Sequence, residues 1–136
     1  MFAAPQYELV RLANGIQSIR SLAVGETFHP VIGPAAEAEA LYVRQLQLGP
    51  RMRAGPGEFV IWDGGLGGGA NVLTVLDRTR GAGRRLRVVS FDHTLAPLEF
   101  ALSHACELGY FAGYETQAAQ LINHRSVEFT DAGRRI

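Results

Sequence analysis

Hydrophobic and polar residues follow one another in a pattern that predicts short strands first, and then strands alternating with helices. Apolar-rich runs at residues 7–12 and 16–22 predict two strands. Asn14-Gly15 lies between them and favours a tight hairpin turn, because both residue types tolerate positive φ. The pattern therefore predicts a β-hairpin near the start of the chain.

A helix and a link rich in glycine and proline are predicted next. Pro34 precedes a helix predicted over residues 35–48, where proline in the first turn costs no hydrogen bond. Glycine and proline concentrate at residues 49–57, which predicts a flexible connection. We therefore expect an N-terminal hairpin-and-helix appendage at residues 1–57 and a second unit at residues 58–136.

The second unit alternates strands and helices. Three apolar runs predict strands, at residues 59–62, 86–92 and 127–130, and apolar residues at helical spacing predict helices from residue 70, at 98–108 and at 114–122. This order is typical of an α/β fold, a Rossmann-like doubly wound parallel sheet. The first strand lacks alternation, which predicts cover on both faces. Because only three strands are predicted, we expect a sheet truncated after the third strand. Its unfilled edge should either pair with another chain or leave the chain only marginally stable.

A glycine-rich loop follows the first of these strands and carries most of the functional signal. Gly65, Gly67 and Gly69 alternate with other residues after Asp63. Glycine lets the backbone approach a ligand closely, because no Cβ intervenes. The helix that begins near Ala70 points unpaired N–H groups at the loop. The loop therefore suits an anionic group of a nucleotide-like ligand.

The spacing in this loop favours one ligand and leaves two other interpretations open. Acid-x-Gly-x-Gly-x-Gly, from Asp63 to Gly69, resembles the loop that faces the methionine part of S-adenosylmethionine (SAM) in class I methyltransferases. Gly65, Gly67 and Ala70 also satisfy the dinucleotide pattern Gly-x-Gly-x-x-Gly/Ala, although a carboxylate there would repel a pyrophosphate. The third interpretation is a glycine-rich turn that binds nothing.

A second acid ends the next predicted strand. Asp92 is placed to accept hydrogen bonds from the two ribose hydroxyls of an adenosine, a group that SAM and NAD share. The same residue could instead cap the helix that follows it. Asp92 therefore supports nucleoside binding without choosing the cofactor.

Composition and charge exclude several other classes of function. Thirteen basic residues balance thirteen acidic ones, so no global field attracts nucleic acid. Five arginines cluster at residues 78–87, which predicts either a solvated turn or a local contact with an RNA backbone. Cys106 is the one cysteine, which excludes an internal disulfide, and helical spacing predicts that it is buried.

Targeting and metal signals are weak in this sequence. No apolar run is long enough for a membrane span, and residues 1–5 do not resemble a signal peptide, so we expect a cytoplasmic protein. The four histidines lack metal-ligand spacing, so no metal site is predicted. His29 and His93 lie in predicted loops and could accept a proton. Ser103-His104 lies within a predicted helix, where adjacent residues face different ways.

Taken together, these segments resemble one methyltransferase family. The run Trp62-Asp63-Gly64-Gly65-Leu66-Gly67-Gly68-Gly69-Ala70-Asn71 is similar in register to its E-L-G-F-G-T-G-L-N loop, including Asn71. Glu39-Ala40-Leu41-Tyr42-Val43 resembles its E-T-R-Y-V segment, and the strand ending at Asp92 resembles its S-V-E-K-x-P-L region. The family is the methyltransferase domain of the bifunctional bacterial enzyme that completes 5-methylaminomethyl-2-thiouridine at the tRNA wobble position.

The resemblance implies a class I methyltransferase fold, SAM as cofactor, and transfer of methyl to an amine of a modified tRNA uridine. By position, Asp63 and the three alternating glycines would face the methionine end of SAM, and Asp92 would hold the ribose. Asp131 would approach the adenine amine, or be an ordinary turn residue at a strand end. The family's catalytic acid follows a fourth strand, so no catalytic residue is assigned and the truncated chain is expected to be inactive alone. The alternatives are an NAD(P)-binding oxidoreductase half-domain and a catalytically silent nucleoside-binding module.

Overall fold

The computed structural model describes residues 6–136, which form a mixed α/β arrangement of small sheets and short helices. The first half contains β1 (Tyr7–Arg11), β2 (Gln17–Ser21), α1 (Pro34–Ala38), a π-helical segment (Glu39–Arg44), α2 (Leu48–Arg53) and β3 (Phe59–Asp63). The second half contains α3 (Ala70–Arg78), a 3₁₀ turn (Arg80–Ala82), β4 (Leu86–Ser90), α4 (Ala96–Ser103), α5 (Ala105–Leu108), α6 (Glu115–His124), β5 (Thr130–Asp131) and β6 (Arg134–Arg135).

The predicted N-terminal hairpin is present. Strands β1 and β2 pair antiparallel, with Leu9 opposite Ile19. In the turn, the Asn14 side chain accepts a hydrogen bond from the Ile16 N–H at 3.1 Å, and Gly15 has a φ of 84°. The Asn-Gly pair therefore makes the turn through the conformations that distinguish these two residues.

The prediction of one continuous helix over residues 35–48 is wrong. The chain passes from α1 into the π-helical segment, and Gln47 then adopts a left-handed φ of 51° that ends the helical run. Helix α2 begins at the next residue and carries Pro50 in its first turn, where the missing N–H costs nothing. The start of the predicted flexible link is therefore helical, and irregular chain occupies only the residues after Ala54.

Strands β3 and β4 form a parallel pair, and α3 makes the connection between them. Phe59 pairs with Leu86 at one end of the register and Asp63 pairs with Ser90 at the other. The carboxyl ends of both strands therefore lie side by side, with the glycine loop between β3 and α3. A strand–helix–strand unit of this kind is the building block of nucleotide-binding α/β folds.

The third strand predicted at residues 127–130 does not join this pair. The Phe129 N–H and C=O bond to the C=O and N–H of Ile136, so the chain folds back on itself and β5 pairs antiparallel with β6. The buried Arg134 holds this small hairpin against α3, donating to the Thr79 and Leu76 carbonyls. Local pairing and this anchor replace the parallel pairing that the apolar pattern predicted.

One apolar core joins the two units that the sequence analysis separated at residue 57. Ile19 of the hairpin and Met52 of α2 belong to the same buried cluster as Leu73 of α3. Burial of β3 alternates, however: Val60 and Trp62 are 43% and 72% exposed, so the expected cover on both faces is absent from the described chain. Within residues 6–136, no helix has the length and apolar character needed to cross a membrane.

Candidate functional site

The glycine loop turns sharply between β3 and α3. Gly67 has a φ of 53° and Gly69 a φ of 80°, values that L side chains rarely adopt. The Gly69 N–H donates to the Leu66 carbonyl at 2.8 Å, which closes the turn. Helix α3 begins at the next residue, so its first N–H groups open toward the loop.

The glycines of the loop serve two different purposes. A Cβ on Gly64 or Gly65 would meet no atom within 4 Å, so this part of the loop borders open space. A Cβ on Gly68 would lie 2.9 Å from the Tyr110 hydroxyl, and one on Gly69 would lie 2.9 Å from Leu98. The first part of the loop is therefore available to a ligand, whereas the second part is glycine because the protein packs tightly against it.

Asp92 lies beside the loop, at the carboxyl end of the strand pair. Its Oδ2 accepts a hydrogen bond from the Gly67 N–H at 2.9 Å, and its Oδ1 accepts one from the His93 N–H at 2.8 Å. The bond from Gly67 is the main reason why the pKa of Asp92 lies below its usual range. His93 Nδ1 also lies 3.2 Å from Oδ1, so a ligand would take those of the roughly four lone-pair positions of the carboxylate that Gly67 and His93 leave unused.

Asp63 and Asn71 meet at a cavity on the other side of the loop. This cavity, of about 330 Å³, is also lined by Gly64 and Gly65. Asp63 Oδ2 and Asn71 Oδ1 are buried and accept no hydrogen bond from the described residues. Burial raises the pKa of Asp63, the Ser90 side chain opposes this shift, and the charge of Asp92 adds to it. Two polar atoms without partners at one cavity are typical of a site that a polar ligand completes.

A second cavity, of about 490 Å³, extends from Asp92 along β4. Most of its walls are apolar, with Leu95 and Leu98 near Asp92 and Val88 on β4. Its volume lies in the range of small-molecule sites, which combine apolar walls with a few polar groups. An aromatic base attached to a ribose at Asp92 would find an apolar environment here.

The structure does not bring Asp131 to the loop. Its Oδ2 accepts a hydrogen bond from the Tyr114 hydroxyl at 2.5 Å and lies 3.4 Å from Arg80 Nε. Arg80 follows the C-terminal end of α3, whereas the glycine loop precedes its N-terminal end. At 1.5 Å per residue, this helix separates the two places by roughly 13 Å. In this conformation Asp131 fixes the C-terminal hairpin, and its predicted contact with the adenine amine stays a prediction.

The two candidate histidines have different surroundings. His29 Nδ1 lies 3.1 Å from Glu37 Oε1, and both side chains are largely covered. His93 lies beside Asp92, but 92% of its side chain is exposed. The ring of Phe28, next to His29, lies 4.0 Å from the position of a Cβ on Gly67. A carboxylate therefore lies beside each histidine, at 3.1 Å from His29 Nδ1 and 3.2 Å from His93 Nδ1, and the two side chains differ in exposure.

Other predicted features lie outside this site. Arg84 donates to the Gly57 and Pro56 carbonyls, while Arg85 and Arg87 both pair with Glu58, so this part of the arginine cluster is occupied in local contacts. Cys106 is exposed, so its predicted burial is wrong; α4 and α5 break at residue 104, which changes the helical phase on which that prediction relied. Residues 6–136 hold no cluster of three potential metal ligands.

Comparison with known proteins gives one informative similarity. No family model matches the sequence, and no curated protein matches it. The chain is similar to the crystal structure of MnmC2 from Aquifex aeolicus, with a TM-score of 0.63 and 18% sequence identity. The fold is shared. The alignment covers 96% of this chain and 41% of that chain, so this chain spans about two fifths of the length of MnmC2.

Two residues that shape the loop escaped the sequence analysis. The Tyr110 hydroxyl donates to the Gly68 carbonyl at 2.7 Å, and Phe28 covers Gly67 from the hairpin side. Tyr110 is 42 residues away from Gly68 along the chain, and Phe28 lies in the predicted appendage. Neither has a spacing or motif that could have connected it to the loop before the fold was known.

Proposed function

We propose that this chain binds SAM at the glycine loop and contributes to methyl transfer onto an amine of a modified tRNA wobble uridine. Residue similarity to the tRNA-modifying methyltransferase family suggests this function. The similarity in fold to MnmC2, over 96% of the chain, supports the relation to tRNA modification. The proposed fold is the Rossmann-like sheet of class I methyltransferases, of which β3, α3 and β4 are the first unit.

One observation carries the proposal: the acid that follows β4 accepts a hydrogen bond from the glycine loop that follows β3. Because the two strands are parallel and adjacent, Asp92 and Gly67 come within hydrogen-bond distance at the carboxyl ends of the strands. Ligands of open α/β sheets bind at this edge. A turn that binds nothing has no need for open space at Gly65 or for unpartnered polar atoms on Asp63 and Asn71.

The residues present fit the parts of SAM. Asp92 has lone pairs left for the ribose hydroxyls, and the apolar cavity beside it suits an aromatic base. The amino group of the methionine part would satisfy the acceptor oxygens of Asp63 and Asn71 after a small movement, since both atoms are now covered. The carboxylate suits the N-terminal end of α3. Asp63, Gly65, Gly67, Asn71 and Asp92 are the cofactor-binding residues of this proposal.

Methyl transfer from a sulfonium is an in-line displacement, which makes positioning the main contribution of the protein. SAM, when bound, supplies the electrophilic methyl group. The acceptor amine must lose a proton, so a base within hydrogen-bond reach helps. His29 and His93 each lie beside a carboxylate, Glu37 and Asp92, that can orient the ring. No catalytic residue is assigned by this proposal.

The alternative cofactor is a dinucleotide, and a competition experiment separates the two. Labelled SAM would be crosslinked to the folded chain with ultraviolet light, and S-adenosylhomocysteine, NAD or NADP would compete for the site. We expect S-adenosylhomocysteine to displace the label at far lower concentration than either dinucleotide. Labelling that NAD displaces equally well would favour the oxidoreductase half-domain, and absence of labelling would favour a glycine-rich turn that binds nothing.

A further inference from the structure

Tyr110 reaches the glycine loop from the connection between α5 and α6. Its hydroxyl donates to the Gly68 carbonyl at 2.7 Å, and only 4% of the residue is exposed. The hydroxyl would lie 2.9 Å from a Cβ on Gly68, as would the tip of Ile19. Gly68 therefore has no side chain because Tyr110 and the hairpin occupy that space.

Hydrogen bonds fix the orientation of successive peptide groups in the loop. The peptide between Leu66 and Gly67 is held by its N–H on Asp92. The peptide between Gly68 and Gly69 is held at both ends, because its carbonyl accepts from Tyr110 and its N–H donates to Leu66. Glycine peptides rotate easily, so without these bonds the loop would sample many conformations.

The turn after Tyr110 has a strained backbone, and a hydrogen bond from Arg80 stabilises it. Ala112 has a φ of 54°, in the left-handed region that an alanine adopts only at a cost. Its carbonyl accepts a hydrogen bond from Arg80 Nη2 at 2.7 Å, which holds the turn in place. Tyr110 on one side of this turn contacts the glycine loop, and Tyr114 on the other side contacts Asp131. These two contacts lie at opposite ends of α3.

We infer that Tyr110 is a positioning residue, whose hydroxyl holds the glycine loop in its ligand-binding conformation. The inference rests on the proposed function for the identity of the ligand, and on the loop geometry for the role of the hydroxyl. It predicts that the loop is ordered before the ligand arrives, so that binding does not have to fix the peptide orientations.

Two variants of the full chain, each lacking one buried hydroxyl, test this inference. Tyr110→Phe removes the bond to the loop, whereas Thr79→Val removes a hydroxyl that donates to the Val75 carbonyl at 2.7 Å, at the far end of α3. Hydrogen exchange of the Gly69 N–H, measured by NMR without ligand and relative to amides in the middle of α3, reports on the loop. Calorimetry with S-adenosylhomocysteine reports on binding.

Tyr110→Phe should accelerate exchange at Gly69 and weaken S-adenosylhomocysteine binding by roughly fivefold, the factor expected for one neutral hydrogen bond. Thr79→Val should lower the melting temperature and change neither measurement. The inference is overturned if the two variants behave alike, since Tyr110 would then be only structural. If the unmodified chain binds no S-adenosylhomocysteine, the proposed function fails, and the exchange data still decide whether Tyr110 orders the loop.

Discussion

Replacing Asp92 removes the bond that connects the end of β4 to the glycine loop. Asp92→Ala deletes the acceptors of two main-chain N–H groups, those of Gly67 at 2.9 Å and His93 at 2.8 Å. The side chain is 16% exposed, so water replaces these bonds only in part. Hydrogen bonds to a charged group contribute about 1.5–3 kcal/mol when buried, and we expect about 1–2 kcal/mol in total here because solvent reaches the carboxylate.

The difference in unfolding free energy between the unmodified chain and Asp92→Ala should depend on pH in a defined direction. The bond from Gly67 lowers the pKa of Asp92 in the folded state below its unfolded value of about 3.9. The stabilisation is therefore complete above pH 4 and is lost as the pH falls through the folded pKa. Asp92→Asn keeps one acceptor oxygen, so at neutral pH it should lower the free energy of unfolding by about half as much as the alanine variant does.

Urea unfolding at pH 7 and near pH 2.5 measures this difference, and calorimetry at pH 7 measures ligand affinity. Asp92→Ala should also weaken S-adenosylhomocysteine binding by about 1.5–3 kcal/mol, because the ribose loses a charged acceptor. Thr79→Val serves as the control, since the loss of its bond to the Val75 carbonyl should cost stability at the far end of α3 without affecting binding. Unchanged stability and affinity in Asp92→Ala would refute both roles assigned to this carboxylate.

Three further predictions follow from the same contacts. Gly67→Val should abolish S-adenosylhomocysteine binding in calorimetry, because a β-branched residue resists a φ of 53° and would change the shape of the loop. The chain should still fold, since the added Cβ would meet only Phe28, at 4.0 Å. Normal binding would exclude a ligand at the loop. Arg134→Met should lower the free energy of unfolding by about 2–4 kcal/mol, since the buried guanidinium satisfies the Thr79 carbonyl and hydroxyl; a neutral effect would contradict the anchoring role. Among the described strands, β3 pairs only with β4, so sedimentation should show self-association that Val60→Lys reduces; a monomer at all concentrations would refute association through this edge.

The parts of the fold predicted well from sequence depend on local chemistry. The Asn14-Gly15 turn, the positions of β3 and β4 and the helix after Gly69 all follow from residues close together in the chain. The acid at the end of β4 could be placed beside the loop because parallel strands present their carboxyl ends together. These predictions are confirmed because residues close together in the chain determine each feature, and contacts with distant segments do not change it.

The parts predicted poorly depend on contacts between distant segments. The run at residues 127–130 is apolar enough for a parallel strand, but the Phe129 main chain pairs with Ile136 and Arg134 finds buried acceptors at the end of α3. Asp131 is therefore drawn toward Arg80 instead of the loop. Tyr110 was not predicted because a side chain that orders a loop 42 residues away leaves no periodic signal.

Calorimetric titration of the folded chain with S-adenosylhomocysteine, NAD and NADP tests the central claim most directly. The acceptor oxygens of Asp63 and Asn71 lack partners among the described residues and suit the amino group of the methionine part, so we predict that S-adenosylhomocysteine binds more tightly than either dinucleotide. An ionised Asp63 next to the loop would repel a pyrophosphate, which adds to the preference. Equal or tighter binding of NAD or NADP would contradict the assignment of the site to SAM.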